Sequence, residues 1–277
     1  MALFVHHLTH IDVSLWCPER GLTGCSWQVD AHLDGELGED GMLFDFGEVK
    51  PWIKRTLDNG LDHTLLVPTR APGVEVSECA EGLCIRTTTP YPMEVRGPAQ
   101  AFTLLPWEHI SVARVTQLLS EELTRARPRN VTRVTLNLQE ERIEGASYGY
   151  SHGLKRHLGN CQRIAHGHRS RLHVYQHQQR QPALEAQWSE WLDNRYLLEQ
   201  ADVAEQTDTT LTCRYTAEQG AFSITLPTHR CSVLPAPTTV ENIARWLASS
   251  IAEQTQQETH VEAFEGINKG ATAQAAP

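Results

Sequence analysis

Polar and apolar positions alternate with a period of two in several stretches, beginning at the N-terminus. Residues 2 to 16 read as a strand with Phe4, His6, Leu8 and His10 on one side. Ser26 to Leu33 alternates again, with Trp27, Val29, Ala31 and Leu33 facing one way, and the turn Cys17-Pro18-Glu19-Arg20-Gly21 makes the two a predicted hairpin. The period then lengthens. Val49, Trp52, Ile53, Thr56 and Leu57 keep helical spacing, with Gly60 as a natural stop. Residues 69 to 105, crowded with Pro, Gly and Thr, read as loop with one or two short strands. A second helix is expected over 108 to 125, on Ile110, Val115, Leu118 and Leu119, and then a strand from Val131 to Glu140.

The second half repeats this order. Tyr148, Tyr150 and His152 alternate, and Leu172 and Val174 continue a partner strand beyond a turn around Cys161. Gln187 to Leu198 reads as a helix, Thr210 to Tyr215 and Ala221 to Leu226 as a strand pair. Thr238 to Glu253 has a capping Thr, Glu241 in its first turn, and Val240, Ile243, Ala244, Leu247 and Ile251 facing inward. His260 to Phe264 is a strand ending at Glu265, and the tail from Asn268 reads as mobile. Strand, strand, helix, helix, strand, carboxylate thus occurs twice, which implies an internal duplication with an α+β unit in 1–144 and another in 145–277. Between Glu140 and Cys161 there is room for only one strand, so one unit is expected to be a strand short. The segments 69–105 and 176–220 have no evident place in the repeat.

Charge and cysteine usage narrow the partners. A formal net charge of -10 argues against a nucleic-acid backbone or an anionic membrane surface. Seven cysteines without a disulfide-like spacing point to reduced thiols, hence the cytoplasm. The first residues lack the pattern of a signal peptide, and no apolar run approaches the length of a membrane span.

The candidate chemistry lies in His152, Cys161, His166 and His168. Residues i and i+2 of a strand share a face, so His166 and His168 aim two imidazoles the same way. A third from the preceding strand would complete the three-histidine set of a catalytic zinc with one open position. His152 continues the face of Tyr148 and Tyr150 and is the better third ligand; His157, in a polar loop-like run, is the fallback. The competing reading is a histidine-rich surface, since the chain has 14 histidines.

Here the chain resembles the 6-pyruvoyl- and 6-carboxytetrahydropterin synthase family. Tyr148-x-x-x-His152, Cys161 and His166-Gly167-His168 follow its pattern. So do G-M-L-F-D-F-G-E-V-K at 41–50, L-D-H-T-L-L at 61–66 and P-T-T-V-E-N-I-A at 237–244, with Pro106-Trp107-Glu108 a looser match. The resemblance implies two T-fold units, each a curved antiparallel sheet with two helices on one face. At the place of His-Gly-His the first unit reads Thr23-Gly24-Cys25, with at most His7 to help Cys25, so it is expected to have lost its metal.

In that family the site lies between units. The resemblance therefore implies that the second unit supplies Zn2+, Cys161 and Glu265, and the first Asp62 and His63. Thr228-His229 would stand in the second unit where Asp62-His63 stands in the first, making His229 a further catalytic candidate, and Glu241 a substrate-binding one beside Glu265. Cys161 as thiolate would take a proton from carbon, His63 held by Asp62 would shuttle it, and Glu265 would grip a guanidine-like ring edge. The basic residues Lys155, Arg156, Arg163, Arg169 and Arg171 would draw in a triphosphate. The implied reaction converts 7,8-dihydroneopterin triphosphate to 6-carboxytetrahydropterin with release of acetaldehyde and triphosphate, on the way to queuosine and other 7-deazapurines. The alternatives are a 6-pyruvoyl product, or a pterin- or purine-binding T-fold without catalysis. A homo-oligomer is expected, because closing a ring buries the sheets' open edges.

Overall fold

The computed structural model describes residues 1–277. Copy one runs β1 (Ala2–Cys17), β2 (Gly21–Gly35), α1 (Phe46–Asn59), β3 (Leu65–Pro68), β4 (Val74–Cys79), β5 (Gly82–Thr87), β6 (Met93–Gly97), β7 (Phe102–Leu105), α2 (Val112–Arg125) and β8 (Val131–Glu140). Copy two runs β9 (Ser147–His152), β10 (His166–Gln176), β11 (Gln179–Arg180), α3 (Pro182–Leu192), β12 (Arg195–Glu199), β13 (Val203–Gln206), β14 (Thr210–Ala217), β15 (Gly220–Pro227), β16 (Cys231–Leu234), α4 (Val240–Thr255), β17 (Thr259–Phe264) and β18 (Gly270–Ala275).

Each copy forms its own sheet. Copy one gives the order β7-β3-β1-β2-β8 and copy two β16-β12-β9-β10-β17-β18, with β11 as a short addition to β10. Neither copy is a strand short: β8 closes the first and β9 opens the second. The tail is not loose either, since β18 pairs with β17 from Thr259↔Ala275 to Phe264↔Gly270. Its alternating Ala and polar residues fit the edge of a sheet with one face on α4.

The helices cover one face of each sheet. In copy one, Val49, Ile53 and Leu57 of α1 and Val115, Leu119 and Leu123 of α2 bury against Trp27, Val29, Ala31 and Leu33, the inward face predicted for β2. The expected face of β1 does not hold, because the register shifts between Val5 and Thr9 and Phe4 stays exposed. From Ile11 on, β1 is buried on both faces: Ile11, Val13 and Leu15 meet the helices, while Asp12, Ser14 and Trp16 are also buried. The helix expected over Gln187–Leu198 starts at Pro182 and stops at Leu192, and Tyr196 belongs to β12.

The two segments without a place in the repeat find it in each other. β4, β5 and β6 from copy one and β13, β14 and β15 from copy two form one six-stranded sheet, joined where β15 pairs with β6 at Ile224↔Val95. Beneath it Ile85, Val95, Tyr196, Phe222 and Ile224 share a core with Trp16 and Leu65. This sheet clasps the copies together.

A second contact brings the main sheets against each other. Ser14 of β1 pairs with Gly24, and Ser151 of β9 with Gly167, so the two serines are equivalent. Ser14 Oγ donates to Ser151 Oγ at 2.6 Å across the approach. A Cβ on Gly24 would lie 2.0 Å from the Tyr150 carbonyl oxygen, so only glycine permits this distance.

Candidate active site between the two copies

His152 and His166 are direct cross-strand partners on β9 and β10, and His168 pairs with Tyr150 one step along. All three imidazoles are buried, at most 2 % exposed. One ring nitrogen from each lies within 4.8 Å of the others. His152 Nδ1 donates to the Thr238 carbonyl at 3.0 Å, just ahead of the α4 N-cap Thr239, and His166 Nδ1 lies 3.3 Å from the Arg163 carbonyl. These bonds leave Nε2 of both rings as the free lone pair, and neither Nε2 has a protein partner. Burial, then the neighbouring histidines, push the pKa of His152 and of His166 well below the usual value, so both are neutral, the form that ligates a metal. Buried, unpartnered nitrogens from three converging histidines fit a zinc ion. His157 is exposed, and its Nδ1 accepts a bond from Gly159 N in its own loop, so it takes no part.

Copy one reaches into this cluster. The turn after α1 places Asp62 and His63 beside it, and the His63 ring centroid is 5.2 Å from that of His166. His63, Cys161 and His166 form a second group whose ligand atoms lie within 4.8 Å of one another. His63 Nδ1 donates to Asp62 Oδ2 at 2.7 Å. Burial works against its charge, but the bonds to Asp62 and Cys161 prevail and raise the His63 pKa to about 10. His63 also takes a left-handed φ of 56°, held there because its N–H donates to the Asp12 carbonyl at 2.8 Å.

The copy-two counterpart of that turn is Asp193-Asn194, not Thr228-His229. Asn194 has a φ of 58°, its N–H donates to the Gly149 carbonyl, and Asp193 Oδ1 accepts from Gly149 N at 2.8 Å. Asp62 Oδ1 does the same for Asp12 N at 2.8 Å, and Asp12 is the residue equivalent to Gly149. Copy two therefore has an aspartate at the same place and an asparagine where copy one has the histidine. His229 sits exposed in the one-turn segment Thr228–Arg230, where copy one has Ala99–Ala101, and is not brought to the cluster. At the twofold-related place of the triad, copy one carries Leu15, Thr23 and Cys25. Burial raises the Cys25 thiol to about 12, and His7 lies on the register shift of β1, bonded to Asp30, so no metal set exists there.

The model of the 6-pyruvoyl tetrahydropterin synthase family matches the chain twice, over residues 5–149 and 143–276. The chain belongs to that family. Among solved structures, 6-pyruvoyl tetrahydropterin synthase of Plasmodium vivax is similar, with TM-score 0.43 and 18% identity over 52% of this chain and 93% of that one. The Plasmodium falciparum protein of the same name gives TM-score 0.40 and 16% identity over 50% and 97%. No curated protein matches the chain. Nor is any helix long and apolar enough to cross a membrane.

Within this member of the synthase family, the other candidates divide. Glu265 follows β17 and sets Oε1 3.9 Å from His168 Nε2, at the edge of the cluster. Glu241 is exposed in the first turn of α4. Most of the basic run is engaged elsewhere: Lys155 pairs with Asp202 and Glu199, Arg163 Nη1 with the Asp62 carbonyl, and Arg169 and Arg171 with Glu141. Only Arg156 stands exposed. Asp12, Thr238 and the Asp193-Asn194 turn were not anticipated. In one copy's sequence Asp12 looks like an outward polar position; it is buried because the other copy covers it.

Proposed function

We propose that the chain is a zinc-dependent 6-carboxytetrahydropterin synthase acting on 7,8-dihydroneopterin triphosphate, with Cys161, His63 and Asp62 as its proton-transfer group. One observation carries this reading: the unpartnered nitrogens of His152, His166 and His168 converge beside Cys161 and His63, which come from different copies. A zinc ion bound by the triad would supply Lewis acidity toward a hydroxyl of the substrate side chain. Cys161 would take a proton from the adjacent carbon. His63, held by Asp62, would deliver one. Glu265, at the rim, would accept hydrogen bonds from the pterin amino edge and orient the ring.

The test is metal analysis of the purified protein, followed by product identification after incubation with 7,8-dihydroneopterin triphosphate. About one zinc per chain with acetaldehyde release supports the reading. A 6-pyruvoyl product would keep the site and change the reaction, whereas metal-free protein that binds pterin without turnover would reduce the chain to a binding module. We also propose assembly into a homo-oligomer through the open edges of β8 and β18. A monomeric mass by light scattering would refute that part.

A further inference from the structure

Asp12 stands on β1 of copy one, yet its carboxylate lies within the histidine cluster of copy two. Its Oδ1 is 3.3 Å from His168 Nδ1 and accepts from Ser26 Oγ at 2.5 Å, while Oδ2 is 3.2 Å from Lys269 Nζ. The residue is 3 % exposed. A buried carboxylate is costly unless several partners compensate it. Here His168, Ser26 and Lys269 surround it. His152 and His166 anchor their Nδ1 atoms on main-chain carbonyls, so His168 alone of the three faces carboxylates, Asp12 nearer on its Nδ1 side and Glu265 at 3.9 Å on its Nε2 side.

The residue equivalent to Asp12 is Gly149, and the residue it would face, equivalent to His168, is Cys25. The carboxylate and the imidazole are present together at one junction and absent together at the other. Both junctions nevertheless keep the same main-chain bonds to an aspartate turn. The turn geometry therefore does not need the Asp12 side chain; the histidine does.

We infer that Asp12 is a cross-copy positioning residue: its carboxylate accepts the Nδ1–H of His168 and fixes the tautomer that leaves Nε2 as a ligand atom. Its main chain ties that same ligand to the Asp62-His63 turn, so copy one sets the geometry of a metal triad made wholly of copy-two residues. Carboxylates behind ligating histidines raise ligand basicity and restrict ring rotation. The inference rests on the triad binding zinc, as proposed above.

Zinc affinity of the full-length protein by chelator competition tests it, with Asp12→Asn compared against the unaltered chain. Asp12→Asn should weaken zinc binding about 10–100-fold, with Asp12→Glu recovering part of the loss. Equal affinity in folded Asp12→Asn overturns the inference while leaving the zinc site intact. Failure of the unaltered protein to bind zinc would instead defeat the underlying metal reading. Should Asp12→Asn not fold, 15N-histidine NMR of the zinc-loaded unaltered protein decides the matter. His168, assigned through its backbone, should carry its proton on Nδ1; a proton on Nε2 overturns the inference.

Discussion

His63 and Asn194 occupy the same turn position in the two copies, with φ of 56° and 58° and the same main-chain hydrogen bond. Duplication produced two junctions between copies, and only the one containing His63 meets a full set of histidines. The other junction offers Asn194 against Leu15, Thr23 and Cys25.

Activity should follow that asymmetry. His63→Ala is expected to lower kcat by about 10²–10⁴ while zinc content stays constant, because His63 lies outside the triad. Asn194→His should leave turnover unchanged, since the site it faces has no ligands. Steady-state kinetics with metal analysis of both variants checks this, and undiminished turnover in His63→Ala would remove His63 from the mechanism.

Metal removal should cost stability as well as activity. A ligand that binds only the folded state stabilises it by ~2.7 kcal/mol at a free concentration 100-fold above its Kd. Chelation should therefore lower the Tm of the unaltered protein and leave that of a His166→Ala/His168→Ala variant where it is. Equal chelator responses in calorimetry would place the metal somewhere else.

The close approach of the main sheets depends on Gly24. A methyl group there would meet the Tyr150 carbonyl at 2.0 Å and the His168 carbonyl at 2.7 Å. Gly24→Ala should cost at least the ~1–3 kcal/mol of an overpacked core and lower zinc affinity too, because His168 lies in the displaced strand. Urea unfolding and zinc titration of the variant are the measurements.

The clasp sheet should behave as part of the core. Ile224 is 1 % exposed and pairs with Val95 of the other copy. Ile224→Ala is expected to destabilise the chain by about 2–5 kcal/mol. Chemical denaturation would show this, and a change within error would mean the clasp adds nothing to the union of the copies.

Acid stability should depend in part on Glu185. Its carboxylate is 3 % exposed and accepts from Arg180 Nε at 2.9 Å, Arg180 Nη2 at 2.6 Å and Val174 N at 3.1 Å. Burial raises its pKa, but the Arg180 and Val174 bonds prevail and keep it below the ordinary 4.5. A depressed carboxylate contributes stability above its unfolded pKa and loses it as pH falls through the folded value. The unaltered protein should thus lose stability from about pH 4.5 downward, and Glu185→Gln should lose less over that range. Parallel curves for the two proteins would exclude Glu185 from acid unfolding.

Local periodicity and capping make the duplication, α1, α4 and the inward face of β2 legible in the sequence, while the third helix shifts to Pro182–Leu192. His166 and His168, i and i+2 on one strand, are legible in the same way, whereas His152 rather than His157 as their companion follows from strand pairing. Which turn in copy two answers to Asp62-His63 depends on packing. Thr228-His229 looked equivalent as a pair of letters, whereas the main-chain bonds to Gly149 put Asp193-Asn194 there. The clasp was hidden for a related reason: β6 and β15 lie far apart along the chain, and neither carries a signal for its partner. Asp12 shows the general cause. Its polarity within an alternating strand indicates solvent, and only packing of the second copy against that face turns it into a buried group set against a histidine.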